Sequence, residues 1–67
     1  MSTEELRQHL NDLQSERALA TSIGLDGNET YMSDLEAAYE MLHAAYVGAA
    51  VTEIATFRAQ LSGAQQG

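Results

Sequence analysis

More than thirty consecutive residues of this chain contain no strong helix breaker, and this run constrains the fold more than any other feature. Between Asn28 and Ser62 there is no proline, and the only glycine is Gly48. A glycine inside a helix costs about 1 kcal/mol relative to alanine, which a long helix tolerates. Apolar residues recur at helical spacing, and no strand-like alternation competes with them. We therefore predict one helix over about residues 30–62, roughly 45 Å long at 1.5 Å per residue.

The first residue of this long helix is open between three candidates. Ser33-Asp34-Leu35-Glu36 has the pattern of a capping box, in which the serine and glutamate side chains bond to free backbone N–H groups. Asn28 or Thr30 could cap the helix earlier and would then include Tyr31 and Met32 in it. The pattern alone does not choose between them.

A shorter amphipathic helix precedes the long one, and we predict it over about residues 3–23. Ser2 and Glu5 have capping-box spacing at its start, and Gly24 suits the left-handed conformation after its end. Leu19 and Ile23 are expected to widen its apolar stripe near the C-terminus. The stripe itself repeats at 4-3-4-3 spacing, which is typical of one buried helix face: Leu6, Leu10, Leu13, Arg17 and Ala20.

The turn Asp26-Gly27-Asn28 joins the two helices, so the predicted fold is an all-α antiparallel hairpin. Residues 1–62 form a single domain in this interpretation, and residues 63–67 are expected to be a frayed tail. Helix 1 is shorter than helix 2 and ends opposite residue 53 or so. Glu53 either marks this end or pairs with an arginine of a second copy.

Arg17 is the one charged residue on the buried stripe of helix 1. In the hairpin it lies opposite Tyr39, within reach of Glu36 or Glu40. We expect it either to stack on the ring and form an ion pair, or to stay solvated at the edge of the stripe.

Helix 2 carries two apolar stripes on nearly opposite faces. The first is bulky and faces helix 1: Leu35, Tyr39, Leu42, Tyr46, Ala49 and Ala50, continuing through Ile54, Phe57 and Leu61. The second, here called the small-residue seam, keeps the 4-3-4-3-4 spacing of a coiled-coil seam: Ala37, Met41, Ala44, Gly48, Val51 and Ala55. Neither the seam nor the three bulky residues beyond helix 1 has a partner within the chain. Such apolar surfaces mark interfaces.

The chain length leads to the same expectation. A chain of 67 residues has a marginal core and usually needs a disulfide, a metal or a partner subunit. Cysteine is absent, so disulfides and thiolate metal sites are excluded. We therefore predict a homodimer or higher homo-oligomer through helix 2, as a four-helix bundle or a coiled-coil-like assembly. The alternatives are that the seam faces water, or that a helix of another protein fills it.

The charge balance excludes several classes of partner. Ten acidic residues stand against three arginines, with no lysine, and the net charge is −7. Direct nucleic-acid binding and attachment to anionic lipid both need clustered basic residues. The acidic N-terminus is unlike a signal peptide, and no apolar run approaches the roughly 20 residues of a membrane span. We expect a cytoplasmic protein with an acidic surface: Asp26, Glu29, Asp34, Glu36 and Glu40.

The sequence offers little for catalysis or cofactor binding. It has no Cys or Lys nucleophile, no Gly-x-Ser-x-Gly elbow and no phosphate-binding glycine loop, and a hairpin is expected to have no pocket of its own. The turn fails as a calcium loop because Tyr31 and Ala37 take the places of its glycine and glutamate. Glu40 and His43 have the Glu-x-x-His spacing of di-iron bundles, but they lie beside the bulky stripe, as a solvated acidic edge would. We predict no catalytic residue, metal or cofactor.

These patterns favour a small acidic protein–protein interaction module without enzymatic activity: an adaptor, a co-chaperone or a regulatory subunit that self-associates through helix 2. Two other classes are open. One is an acidic mimic of nucleic acid that inhibits a basic partner, as some phage-encoded proteins do. The other is a carboxylate-bridged metal-binding bundle.

Overall fold

The protein is an all-α antiparallel hairpin, as predicted. The computed structural model describes the backbone of residues 1–66 and the side chains as far as Ser62. Helix α1 spans Thr3–Ser22, a 3-10 turn spans Leu25–Gly27, and helix α2 spans Glu29–Gln66. Helix α2 was predicted to end near residue 62, and its backbone continues to Gln66. The side chains of residues 63–66 and the whole of Gly67 lie outside the described residues, so their predicted fraying stays a prediction.

Helix α1 begins and ends where its capping residues predict. The backbone N–H of Glu5 donates to Ser2 Oγ at 3.1 Å, and the Ser2 hydroxyl donates to Glu5 Oε1 at 3.1 Å. The glutamate therefore returns to the serine side chain, a variant of the capping box. At the other end Gly24 has φ +86°, the left-handed conformation that glycine adopts without a steric penalty.

Asn28 is the residue that starts α2. Its side-chain Oδ1 accepts the N–H of Tyr31 at 3.0 Å, and its carbonyl accepts the N–H of Met32 at 3.0 Å. Of the three candidates, the earliest is therefore correct. Ser33 lies inside the helix, and Tyr31 is available to contact α1.

The two helices share a thin layer of contacts. Among residues 1–62, the buried ones are Leu6, Leu10, Ala20 and Leu35. Side-chain hydrogen bonds join the helices at three levels. Near the turn the Tyr31 hydroxyl donates to Glu16 Oε2 at 2.6 Å, in the middle Gln14 Nε2 donates to the Tyr39 hydroxyl at 3.3 Å, and at the far end Thr3 Oγ1 donates to Glu53 Oε1 at 2.6 Å. These pairs give the antiparallel register.

Helix α1 begins at the level of residue 53 of α2, as predicted from the lengths of the two helices. Because Thr3 contacts Glu53, Glu53 marks the level at which α1 begins, the first of its two predicted roles. Beyond this level α2 continues alone, and the molecule measures 60 × 16 × 14 Å. The hairpin thus has a two-helix part and a one-helix part.

The prediction that Leu19 and Ile23 widen the buried stripe of α1 is wrong. Leu19 is 61% exposed and Ile23 is 64% exposed. Ala20 occupies the contact with α2 at this level, and Leu19 is a 100° step around the helix from it. A two-helix contact is too narrow to cover both positions.

Candidate interaction surface

Every residue of the small-residue seam on α2 is exposed. Met41, its largest member, is 76% exposed. A Cβ atom added to Gly48 would meet no atom within 4 Å, so the face of the helix around this glycine is open. The hairpin fold thus leaves the seam uncovered, because α1 contacts the opposite side of α2.

The bulky residues beyond α1 are equally uncovered. Ile54, Phe57 and Leu61 are 48–60% exposed. They follow Glu53, at whose level α1 begins. Upstream members of the same stripe, such as Leu35 and Leu42, are buried or half-buried. The stripe is continuous along α2, and only its first part has a partner within the chain.

Val47 also belongs to this surface, although it was not among the predicted interface residues. It is 46% exposed and lies between the seam and the bulky stripe on the helical wheel. Neither predicted set contains it because each follows its own 4-3 spacing. With Val47 included, the exposed apolar residues form one broad surface on α2.

The whole molecule exposes more surface than a compact chain of its size. Its solvent-accessible surface is 5134 Å², whereas a compact monomer of this mass exposes about 4,100 Å². The excess of about 1,000 Å² reflects the elongated shape of the molecule, in which each helix packs against at most one other helix.

The predicted acidic residues do not form one patch. All five are exposed, and three of them, Glu29, Glu36 and Glu40, lie within about 40° of one another around α2. Glu36 and Glu40 are one turn apart on α2, while Asp34 is about 160° around the helix from Glu36. Asp26 lies in the 3-10 turn. Three of the five acidic residues therefore share one face of α2 near the turn, and the other two lie apart from that face.

The Glu-x-x-His pattern lies on an exposed edge. Glu36, Glu40 and His43 are all exposed, and the His43 ring stacks on Tyr39 with the ring centroids 5.8 Å apart. Among the described side chains, no group of three His, Cys, Asp or Glu residues is arranged to hold a metal ion.

An open groove of about 340 Å³ runs between the helices near the turn, although none was expected. Leu13, Leu35 and Met32 contribute its apolar part, and Arg17 and Glu40 line it as well. Arg17 is exposed, and within residues 1–62 it forms neither an ion pair nor a ring contact. Of its two predicted states, the solvated one is correct; Tyr39 stacks on His43 instead.

Two side chains have a shifted pKa. The hydrogen bond to Glu16 raises the pKa of Tyr31, with further contributions from desolvation and the Glu16 charge. Arg7 Nη2 donates to Glu4 Oε1 at 2.8 Å, and this hydrogen bond raises the pKa of Arg7 further. Neither hydrogen-bonded pair adjoins the exposed apolar surface of α2, so we assign both a structural role.

Within the described residues, neither helix combines the length and apolar character needed to cross a bilayer. Comparison with protein-family models, with curated proteins and with solved structures gave no match.

Proposed function

We propose that this chain is a small, acidic, non-enzymatic protein–protein interaction module whose partner is a second copy of itself, bound through α2. The observation that carries the proposal is the exposed apolar surface of α2, whose large residues are 46–76% exposed: Met41, Val47, Val51, Ile54, Phe57 and Leu61. In this role the protein is an adaptor, a co-chaperone or a regulatory subunit that works as a dimer.

The energetics of a two-helix chain support the proposal. Stable domains bury an apolar face of each element against another layer, yet among residues 1–62 four side chains are buried. A second hairpin packed on α2 would supply the missing layer and convert two helices into four.

Two neighbouring alanines provide a matched test. Ala44 belongs to the seam, while Ala45 is one 100° step away toward the other side of α2, and both are exposed. Ala44→Glu and Ala45→Glu add the same charge and the same helix propensity. Sedimentation equilibrium of the wild type should give twice the monomer mass, Ala44→Glu should shift the chain to monomer, and Ala45→Glu should not.

Two results would overturn self-association through this face. The first is a folded wild-type monomer over a wide concentration range, which would leave the surface to a helix of another protein. The second is equal dissociation of the two variants, which would assign the effect to added charge alone. Circular dichroism of both variants checks that the helices are retained.

The two alternative functions receive less support. An acidic mimic needs its charges in one array, and only Glu29, Glu36 and Glu40 of the five share one face of α2. A carboxylate-bridged metal bundle needs the Glu-x-x-His pattern to face a second set of ligands inside a core, whereas here the pattern is at an exposed edge. Metal analysis of the purified protein tests that class directly: iron or manganese at defined stoichiometry would favour it over the proposal.

A further inference from the structure

One exposed line along α2 has an unbroken heptad repeat once its two charged residues are included. The spacing is 3-4-3-4-3-4-3, as in the core of a coiled coil, and every member is exposed. The line, here called the heptad line, consists of Ala37, Glu40, Ala44, Val47, Val51, Ile54, Arg58 and Leu61. It lies about a third of a turn around α2 from the face that contacts α1, so a second helix can pack on it while the hairpin stays intact.

We infer that two copies pack α2 against α2 in antiparallel orientation along the heptad line, with the two-fold axis beside residue 49. This inference rests on the proposed self-association and adds its direction and register. In this register Ala37 faces the other copy's Leu61 and Ala44 faces its Ile54. Val47 faces Val51, and Glu40 faces Arg58. Each of these layers occurs twice in the dimer.

Side-chain size favours this orientation. The small members of the line, Ala37 and Ala44, lie toward its start, and the large members, Ile54 and Leu61, lie toward its end. A parallel pair would place small against small at one end and large against large at the other, so the helices would have to diverge or leave a void. The antiparallel pair puts one small and one large residue in each outer layer, which gives the even spacing that close packing requires.

Charge favours the same orientation. A parallel pair would place Glu40 against Glu40 and Arg58 against Arg58, while the antiparallel pair forms two Glu40–Arg58 ion pairs. Within residues 1–62, Arg58 forms no ion pair and no side-chain hydrogen bond, and Glu40 likewise has none. Both groups are therefore available, and neither has to break a contact to pair across the dimer.

The two ends of α2 are also complementary. The groove near the turn adjoins α2 between Met32 and Glu40, and the unpaired apolar part of α2 begins at Ile54. Antiparallel packing about residue 49 brings the apolar end of each copy alongside the groove of the other. Parallel packing would leave both grooves open and would bring the two single-helix ends together.

Cysteine cross-linking tests the orientation directly, since the chain has no cysteine of its own. In the proposed register position 44 of one copy faces position 54 of the other, while the two copies of position 54 are about 15 Å apart along the axis. That separation exceeds the reach of a disulfide. Ala44→Cys and Ile54→Cys, mixed in equal amounts and oxidised, should form a disulfide-linked dimer, and each alone should stay uncross-linked.

Charge exchange provides a second, independent test. Glu40→Arg or Arg58→Glu alone should weaken the dimer about tenfold, because each places two like-charge pairs in the interface. The double variant Glu40→Arg/Arg58→Glu restores opposite charges and should bring the dissociation constant back to within about threefold of wild type. Recovery in the double variant cannot arise from misfolding of the single ones.

The outcomes separate this inference from the proposed function. A wild-type dimer in which Ile54→Cys cross-links on its own, or in which the double variant is weaker than both single ones, overturns the antiparallel register and leaves self-association standing. A wild-type monomer overturns both.

Discussion

Tyr31 joins the two helices through a hydrogen bond that depends on pH. Its hydroxyl donates to Glu16 at 2.6 Å, and this bond raises the pKa of Tyr31. A tyrosine in the unfolded chain titrates near pH 10. Because the folded-state pKa is the higher one, the bond contributes its full stability below about pH 10, and this contribution is lost as the pH rises through the folded-state pKa.

Replacing Tyr31 with phenylalanine should remove this dependence. At pH 8 the variant should melt at a lower temperature than the wild type, and the difference should shrink as the pH rises to about 11. Thermal unfolding followed by circular dichroism measures both. Tyr46→Phe is the matched control, since the Tyr46 hydroxyl makes no hydrogen bond within residues 1–62. A constant difference between wild type and Tyr31→Phe across this range would contradict the assignment.

The sequence left alternatives open mainly for the roles of single residues. Asn28, Thr30 and Ser33 can all cap a helix, and the choice depends on Tyr31, which reaches Glu16 only if α2 starts early. Arg17 could have been stacked and paired or solvated, and the outcome depends on Tyr39, which stacks on His43 instead. The first of these outcomes goes with a contact between the two helices, Tyr31 to Glu16. The second goes with a stack between residues four apart on α2, which the spacing of apolar residues does not single out.

At the scale of the helices, α2 owes its length to the lack of any strong breaker, and Gly48 is its weakest point. A Cβ at this position would have open space around it, and glycine in a helix interior is about 1 kcal/mol less favourable than alanine. The bounds of α1 were predictable because its capping residues act locally, whereas α2 continues to Gln66, past the end predicted near residue 62. The exposure of Leu19 and Ile23 was not predictable, because it depends on how wide a face one partner helix can cover.

Gly48→Ala should therefore raise the free energy of unfolding by about 1 kcal/mol. Urea unfolding of wild type and variant at the same protein concentration measures the change. The reverse substitution at an exposed alanine of the same helix, Ala45→Gly, should lower the free energy of unfolding by a similar amount. A destabilised Gly48→Ala would mean that another chain approaches the helix too closely at this position for even a methyl group.

At the scale of the whole molecule, the unpaired length of α2 followed from counting residues between caps, and the heptad line did not. Glu40 and Arg58 belong to neither apolar stripe, and the heptad line combines them with members of both stripes. A role for these two charged residues follows only when two copies of α2 are packed against each other as proposed. The spacing of apolar residues in a single chain does not show which residues of two copies would face each other.

The net charge of −7 per copy makes salt a test of the whole assembly. Two copies repel each other at long range, and added salt screens this repulsion as well as the exposed ion pairs. Because apolar residues make up most of the proposed interface, raising the ionic strength from about 0.05 to 0.5 M should leave the dissociation constant of the proposed dimer unchanged or lower it. The thermal midpoint should also rise with protein concentration, since association stabilises the folded state. Sedimentation equilibrium and thermal unfolding measure the two effects, and a dimer that dissociates steeply with salt would show that charge holds it together instead.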